Sequence, residues 1–274
     1  MQLVLREAAR RGDIYRLKRL LEGGQHAAAL LRMADEHGDT LLHDAVRQGR
    51  HSAARLLVER GALLEAHNRW RLTPLQCAVE YAQEGCVRLL LERGANPDPR
   101  RTDGSTPLMA ALSQRVSAAT DHGRETALSM AHALIGYGAD VNARDDSGRT
   151  PLFYGLLDAE ARDLALAAGA DIDAADRHGR TALMRAVLRC DLPLVRALLA
   201  SGADVNAVDA EGHAPLMLLM LARLQSHPLL RALLAAGADV NARSYRGETV
   251  LTLAVVRGKS WWAVEELKAH GARS

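Results

Sequence analysis

Three groups of side chains in this 274-residue chain have the types that catalysis or metal binding uses. Asp171, Asp173 and Asp176 begin like a calcium loop, in which alternating carboxylates share one hard cation. The glycine and the closing glutamate of such a loop are missing, so the trio reads as a polar turn. His37, His178 and His213 all fall in turns, spaced by 35 residues or more. They read as solvated turn histidines, too far apart to share a metal. Cys77, Cys86 and Cys190 are odd in number and show no C-x-x-C spacing. They read as small reduced thiols of a cytoplasmic protein. There is no H-E-x-x-H, no G-x-S-x-G and no phosphate-binding loop, and Gly136-Tyr137-Gly138 is only G-x-G at a helix end. The expectation is no catalytic residue, no metal and no cofactor. The chemistry left is recognition. Asn68-Arg69-Trp70-Arg71-Leu72, with Glu80 and Tyr81 nearby, puts aromatic rings among guanidinium groups. That is the composition of a contact hot spot, although Trp70 could equally fold back onto a neighbouring turn.

The segments that carry these residues recur. Gly138 to Leu152 reads GADVNARDDSGRTPL, and Gly169, Gly202 and Gly237 open close copies. The interval from this glycine to the Thr of Thr-Pro-Leu, or to Ala214 in its place, is always 12 residues. The interval from Thr to the next glycine is 21 in the regular copies, 32 from Thr106 to Gly138 and 19 from Thr150 to Gly169. A period of 33 with all length changes in one half is the signature of an array of supersecondary units.

Local chemistry assigns each half. Thr73-Pro74, Thr106-Pro107 and Thr150-Pro151 are helix starts: the hydroxyl accepts from a free N–H, and proline loses nothing at the first helical position. The recurring glycine is a helix stop, since it takes the left-handed conformation without a Cβ penalty. Before it, apolar residues fall at one-faced helical spacing, as in Val87, Leu90, Leu91 and Val195, Leu198, Leu199. Breakers such as Gly49 or Asp191-Leu192-Pro193 divide the run. Two short antiparallel helices follow each constant turn of Gly, Asp and Asn.

The pattern D-x-x-G-x-T-P-L-x-x-A followed by G-A-D-V-N-A resembles the ankyrin repeat, from about Asp35 to the C-terminus, with a degenerate half-copy before it. The resemblance implies an all-α solenoid of stacked helix-turn-helix units with projecting hairpin fingers, binding other proteins on a concave face. It also gives His43 a hydrogen-bonding role that steadies the finger. Residues 1–274 then form a single domain. Residues 1–34 are an N-terminal cap, 35–243 the internal repeats and 244–274 a C-terminal cap.

Several repeats depart from the pattern. In the cap, Leu17, Leu20 and Leu21 should face inward, Arg6, Glu7, Arg10 and Arg11 should face water, and Ala27 to Leu31 should form a short covering helix. In the third repeat Arg71 stands at the finger glycine, so the turn either strains or changes type, with Trp70 and Leu72 at an exposed tip. The fourth repeat carries 32 − 21 = 11 extra residues within 113–125, polar enough to predict a longer, mobile interhelix turn. The fifth repeat has only Arg162, Ala165 and Leu166 where the sixth has Val195, Leu198 and Leu199, so its joint should be the least stable. Leu216 to Leu221 in the seventh should be doubly packed core. Of Trp261 and Trp262, one should cover the core end and the other lie exposed, while Lys268 faces solvent.

Counting from the junction Thr places the candidate partner-binding residues. Arg47 and Gln48 come first, then Arg69, Trp70, Leu72, Glu80 and Tyr81, then Gln114 and Arg149. Arg177, His178, Arg180 and Arg189 follow, and Tyr245 and Arg246 close the set. Thirty-five basic and 33 acidic residues leave a net charge of +2, too little for a nucleic-acid binder. Only Lys18, Lys259 and Lys268 are lysines, a bias toward Arg that hints at a GC-rich, bacterial genome. The longest apolar run, Ala214 to Ala222, is too short to span a bilayer, and the N-terminus has no signal-length apolar core. The expected function is a non-catalytic, cytoplasmic, monomeric scaffold that binds one protein and neither nucleic acid nor membrane. An inhibitor or immunity-type partner, or a host-directed bacterial effector, is the alternative, and an enzyme with an unrecognised site is the rival class.

Overall fold

The computed structural model describes residues 2–22, 25–222, 226–258 and 261–273. Among them the regular structure is helical, with one isolated antiparallel bridge between Arg243 and Thr249. The chain divides into two compact units. One comprises Met1–Asp146 with Tyr154–Gly169, the other Ser147–Phe153 with Ala170–Ser274. The division runs through the fifth repeat.

The first unit opens with α1 (Gln2–Arg11), α2 (Ile14–Leu20) and α3 (Gln25–Arg32). The second repeat supplies α4 (Leu41–Arg47) and α5 (His51–Glu59), and the third α6 (Pro74–Glu80) and α7 (Glu84–Glu92). The fourth supplies α8 (Pro107–Ser117) and α9 (Asp121–Gly136). After α10 (Pro151–Gly155), α11 (Ala159–Ala167) packs on α8 and α9. The inner helices α1, α4, α6 and α8 lie side by side in that order, as do the outer helices α2, α5, α7 and α9. The second unit repeats the plan with α12 (Ala182–Leu188) and α13 (Leu192–Ala200), α14 (Pro215–Leu221) and α15 (His227–Ala235), α16 (Val250–Val256) and α17 (Trp261–Ala269). Each unit is therefore a row of helix-turn-helix hairpins.

The helix starts fall where expected, but the Thr150 hydroxyl does not cap its helix: it is buried with no hydrogen-bond partner among the described residues, and Pro151 alone marks that start. Thr40, Thr73, Thr106, Thr181 and Thr249 each accept from the backbone N–H three residues on. At Ala214 no side chain caps the helix, and Pro215 at its first turn is the remaining signal. The stops are left-handed glycines, with φ from 83° at Gly94 to 91° at Gly169 and Gly202.

Core formation follows the apolar stripes. Leu216, Met217, Leu218, Leu219 and Met220 are all buried, as expected of a helix packed on both sides. In the cap Leu17 and Leu21 are buried, Leu20 packs against the core, and Leu31 of α3 is buried. Trp261 is exposed, whereas Trp262 is half-buried with its ring 4.7 Å from that of His227. Lys268 is exposed.

Two expectations fail. The 11 extra residues of the fourth repeat do not lengthen its turn. Helix α8 has 11 residues against 7 in α6, and α9 has 16 against 9 in α7, which accounts for all of them. The connection is residues 118–120, no longer than the 81–83 turn of the third repeat. Thr120 caps α9 through Gly123 N–H, so the polar segment carries its own helix start. Arg6 does not face water. It is buried, donating to Asp44 at 2.6 Å, to Asp35 at 3.1 Å and to the Asp39 carbonyl. Helix α1 packs as the first inner helix, and the acids of the next repeat turn its arginine into a joint. Its neighbours Arg10 and Arg11 do remain exposed.

The fifth repeat is the thinnest. Helix α11 buries only Ala161 and Ala165, while α13 buries Leu194, Val195 and Leu198. At about 25 cal/mol per Å² of apolar area, a pair of alanines contributes far less than two leucines and a valine.

Candidate functional site

Most of the finger turns share one construction; the fourth, which begins with Arg101, does not. Asp35 Oδ1 accepts from the backbone N–H of His37 and Asp39, both at 2.9 Å. Asp176 Oδ1 does the same with His178 and Arg180, and Asp209 Oδ1 with Glu211 and His213. In the third finger Asn68 takes the role, accepting from Trp70 and Leu72 at 3.0 Å. The fourth position of each turn needs positive φ, supplied by Gly38, Gly104, Gly148, Gly179, Gly212 and Gly247. Arg71 meets it at φ 60°, so the turn keeps its type and carries the strain of a left-handed residue with a Cβ.

That glycine has a second task. A Cβ on Gly38 would stand 2.9 Å from Arg69 N, one on Gly179 2.5 Å from Ala210 N, and one on Gly212 2.7 Å from Tyr245 N. The missing side chain lets the next finger close in, and a backbone hydrogen bond forms there. Arg69 N–H donates to His37 O, Asp146 to Asp103, Arg177 to Ser147, Ala210 to His178 and Tyr245 to Glu211. The corresponding bond from Thr102 N–H to Trp70 O is missing from this ladder, at the one finger whose glycine is replaced. At the corresponding glycines of the other joined fingers a Cβ would stand 2.5–2.9 Å from the next finger's backbone N, and the Arg71 Cβ is incompatible with an equally close approach.

A pocket of about 650 Å³ occupies the gap. Trp70 and Tyr81 line it, 46% and 48% exposed, and so does half-buried Leu72. Leu72 is not at an exposed tip as expected: it packs against the core, because its backbone is drawn in by Asn68 and by His43 Nε2, 3.0 Å from the Leu72 carbonyl. Trp70 meets both expectations in part, half-exposed yet leaning toward His37 of the neighbouring second finger. The Arg69 guanidinium lies 4.2 Å over its ring, and the His37 ring is 5.8 Å from it. Arg47 lies 5.6 Å over Tyr81 and donates to Asp39 at 2.6 Å. Glu80 pairs with Arg101. Asp103 accepts from Ser105 N–H and Oγ, and that hydroxyl bond first of all holds its carboxyl below the ordinary value. Beneath the pocket Cys77 is buried, and burial pushes its thiol up to about 11.

Six of the sequence-predicted residues thus meet at one place: Arg47, Arg69, Trp70, Leu72, Glu80 and Tyr81. Gln114 is spent on the Val79 carbonyl at 2.8 Å, and Gln48 is an exposed helix cap outside the pocket. The rest belong to the second unit and are not gathered there. Arg177, His178, Arg189, Tyr245 and Arg246 are exposed, and Arg149 and Arg180 are half-buried. Sequence reasoning missed Arg101. Its signal was an arginine at the finger position that Asp35, Asp176 and Asp209 fill elsewhere.

The residues considered for metal or acid–base chemistry have other tasks. Asp171 accepts from Asp173 N–H, Asp173 from Asp204 N–H, and Asp176 holds its finger. His213 is not solvated as expected. It is buried, with Nδ1 3.4 Å from Asp209 and Nε2 3.7 Å from Glu248, because its finger packs against the next. A second hollow, between α13 and α15, is floored by Leu199 and alanines, the ordinary groove between packed helices. No described helix is long and apolar enough to cross a membrane.

Comparison with known proteins agrees with this construction. The profile described as ankyrin repeats (3 copies) matches residues 62–121 and 117–209, and that of the single ankyrin repeat matches 37–69. No protein of curated function matches. The ankyrin repeat domain of Bcl-3, described as a unique member of the IkappaB protein family, is 32% identical with a TM-score of 0.72. That alignment covers 85% of this chain and 100% of that one. An ankyrin repeat domain from Acinetobacter baumannii AYE is 27% identical with a TM-score of 0.63, over 73% of this chain and 98% of that one. Ankyrin repeats generally mediate protein–protein interaction, and on its repeats, turns and helix pairs this chain belongs to the ankyrin repeat family.

Proposed function

We propose that this chain is a non-catalytic protein-binding module whose partner docks at the opened joint between the third and fourth fingers. One observation carries the reading. At the only internal finger without its glycine, a ladder bond is missing and two half-exposed aromatics border the gap. A strained residue that stabilises nothing visible in the fold has its reason in what it exposes. Rigid helices on both sides keep the site in shape before the partner arrives, which lowers the entropy cost of binding. The exposed side chains of the second unit, Arg177, His178, Arg189, Tyr245 and Arg246, are secondary contacts. The non-catalytic part rests on chemistry: the carboxylates considered above are held in turns, and burial pushes both Cys77 and Cys86 up to about 11, far from thiolate. In the specific form of this reading, a cytoplasmic monomer captures one enzyme or toxin and blocks it.

Capture from the source organism's lysate tests it. The expected result is one stoichiometric partner whose affinity falls by about 2 kcal/mol, about 30-fold, with Trp70→Ala. His178→Ala in the second unit should cost under about 0.5 kcal/mol. Equal binding by wild type and Trp70→Ala would remove the reading. Turnover by the purified chain, abolished by one polar substitution, would establish the enzyme instead.

A further inference from the structure

The charges around the pocket are not balanced. Three carboxylates are near, and each is already engaged: Glu80 with Arg101, Asp39 with Arg47, and Asp103 with Ser105. Arg69 and Arg71 are exposed, and among the described residues neither has a carboxylate partner. The two flank Trp70 in sequence and line the same hollow. The Arg69 guanidinium carbon lies 4.2 Å over the Trp70 ring, a cation–π contact. Among the described residues no acceptor takes the N–H donors of this guanidinium, which match a carboxylate in bidentate fashion. The ring contact also holds the side chain in one place, so less conformational freedom is lost when an anion arrives.

Beside these charged groups and the polar Asn68 and Thr102, the lining has an apolar and aromatic part. Trp70, Tyr81 and Leu72 border a space of about 650 Å³, larger than one carboxylate needs. The occupant therefore brings a large apolar side chain together with negative charge. A polyphosphate backbone suits the site less well, because Glu80 and Asp103 stand in the same lining and would repel a continuous line of anions.

Building on the function proposed above, we infer that the partner presents to this pocket an acidic protein segment bearing a large apolar side chain. Its carboxylates meet Arg69 and Arg71, and its apolar side chain enters between Trp70 and Tyr81.

Fluorescence anisotropy of labelled synthetic peptides on the full chain tests this. The probes are Gly-Glu-Glu-Phe-Glu-Glu-Gly, the same peptide with Lys for every Glu, and the same with Gln. The acidic probe should bind at least about tenfold tighter than the Lys probe, with an advantage that shrinks as salt rises. Arg69→Gln with Arg71→Gln should abolish the advantage while leaving the thermal midpoint within a few degrees. Trp70→Ala should weaken the acidic and Gln probes alike. Equal or tighter binding of the Lys probe, no binding of any probe at millimolar concentration, or a preference that survives the double substitution would overturn the inference. So would a single-stranded uridine oligonucleotide that displaces the acidic probe and binds more tightly. If Trp70→Ala releases the captured partner but no acidic preference exists, the docking site stands and its acidic ligand falls. If Trp70→Ala leaves both partner and probes unaffected, the site itself falls.

Discussion

The third and sixth fingers are the same turn with opposite outcomes. In both, a side-chain oxygen at the first position accepts two backbone N–H groups, from Trp70 and Leu72 in one and from His178 and Arg180 in the other. In both, the fourth residue is left-handed, at φ 60° for Arg71 and 72° for Gly179. The sixth finger lets its neighbour approach until Ala210 N–H reaches the His178 carbonyl at 2.9 Å. The third does not, and a pocket with exposed rings takes the place of that contact. One Cβ separates a turn that joins its neighbour from a turn beside an open pocket, the docking surface we propose.

Exchanging the two residues should exchange the properties. Gly179→Ala would place a Cβ 2.5 Å from Ala210 N in a left-handed backbone, and should destabilise the second unit by at least about 2 kcal/mol in urea denaturation. At Gly61, where φ is 87° but open space surrounds the Cβ position, the same change should cost only about 1 kcal/mol. Equal losses at the two sites would mean that strain alone, and not the approach of the next finger, decides. Arg71→Gly should do the reverse, stabilising the first unit by about 1 kcal/mol while weakening partner binding.

A smaller difference lies in what supports each finger. The carbonyl of Leu72 is held by His43 Nε2, whereas in the next repeat Gln76 Nε2 donates to the Pro99 carbonyl at 2.9 Å. Thr40 N–H donates to His43 Nδ1, so the ring serves as a neutral tautomer with its proton on Nε2. Burial, above all, lowers the affinity of His43 for a second proton. The unfolded chain then binds a proton that the folded chain does not. This contribution to stability is complete above the unfolded value of about 6.5 and is lost as pH falls below it. His43→Gln, which copies the next repeat, should flatten the fall in stability between pH 6.5 and 5. An unchanged slope would assign that fall to other groups. The smallest effect concerns thiols. Cys77 and Cys86 of the third repeat should resist a disulfide reagent at pH 8 until the unit unfolds, while half-buried Cys190 in the sixth reacts first.

Much of the fold was legible because each repeat states its limits locally. A capping threonine, a first-turn proline and a left-handed glycine act within a few residues. What failed was non-local. Arg6 looked like a solvated end charge because its partners Asp35 and Asp44 lie 29 and 38 residues on. The 113–125 segment looked like a loop because polarity was weighed above Thr120, whose capping oxygen starts α9. For the site, the aromatic and the arginines were visible, as was the missing glycine. The open joint was not, since it depends on what a Cβ at position 71 does to a finger 30 residues away.

Amide hydrogen exchange at Thr102 tests that point most directly. The account predicts that this N–H exchanges much faster than the ladder amides of Arg69 and Ala210, and that Arg71→Gly slows it to their rate. Protection at Thr102 equal to theirs in the native chain would show the joint closed and contradict the account.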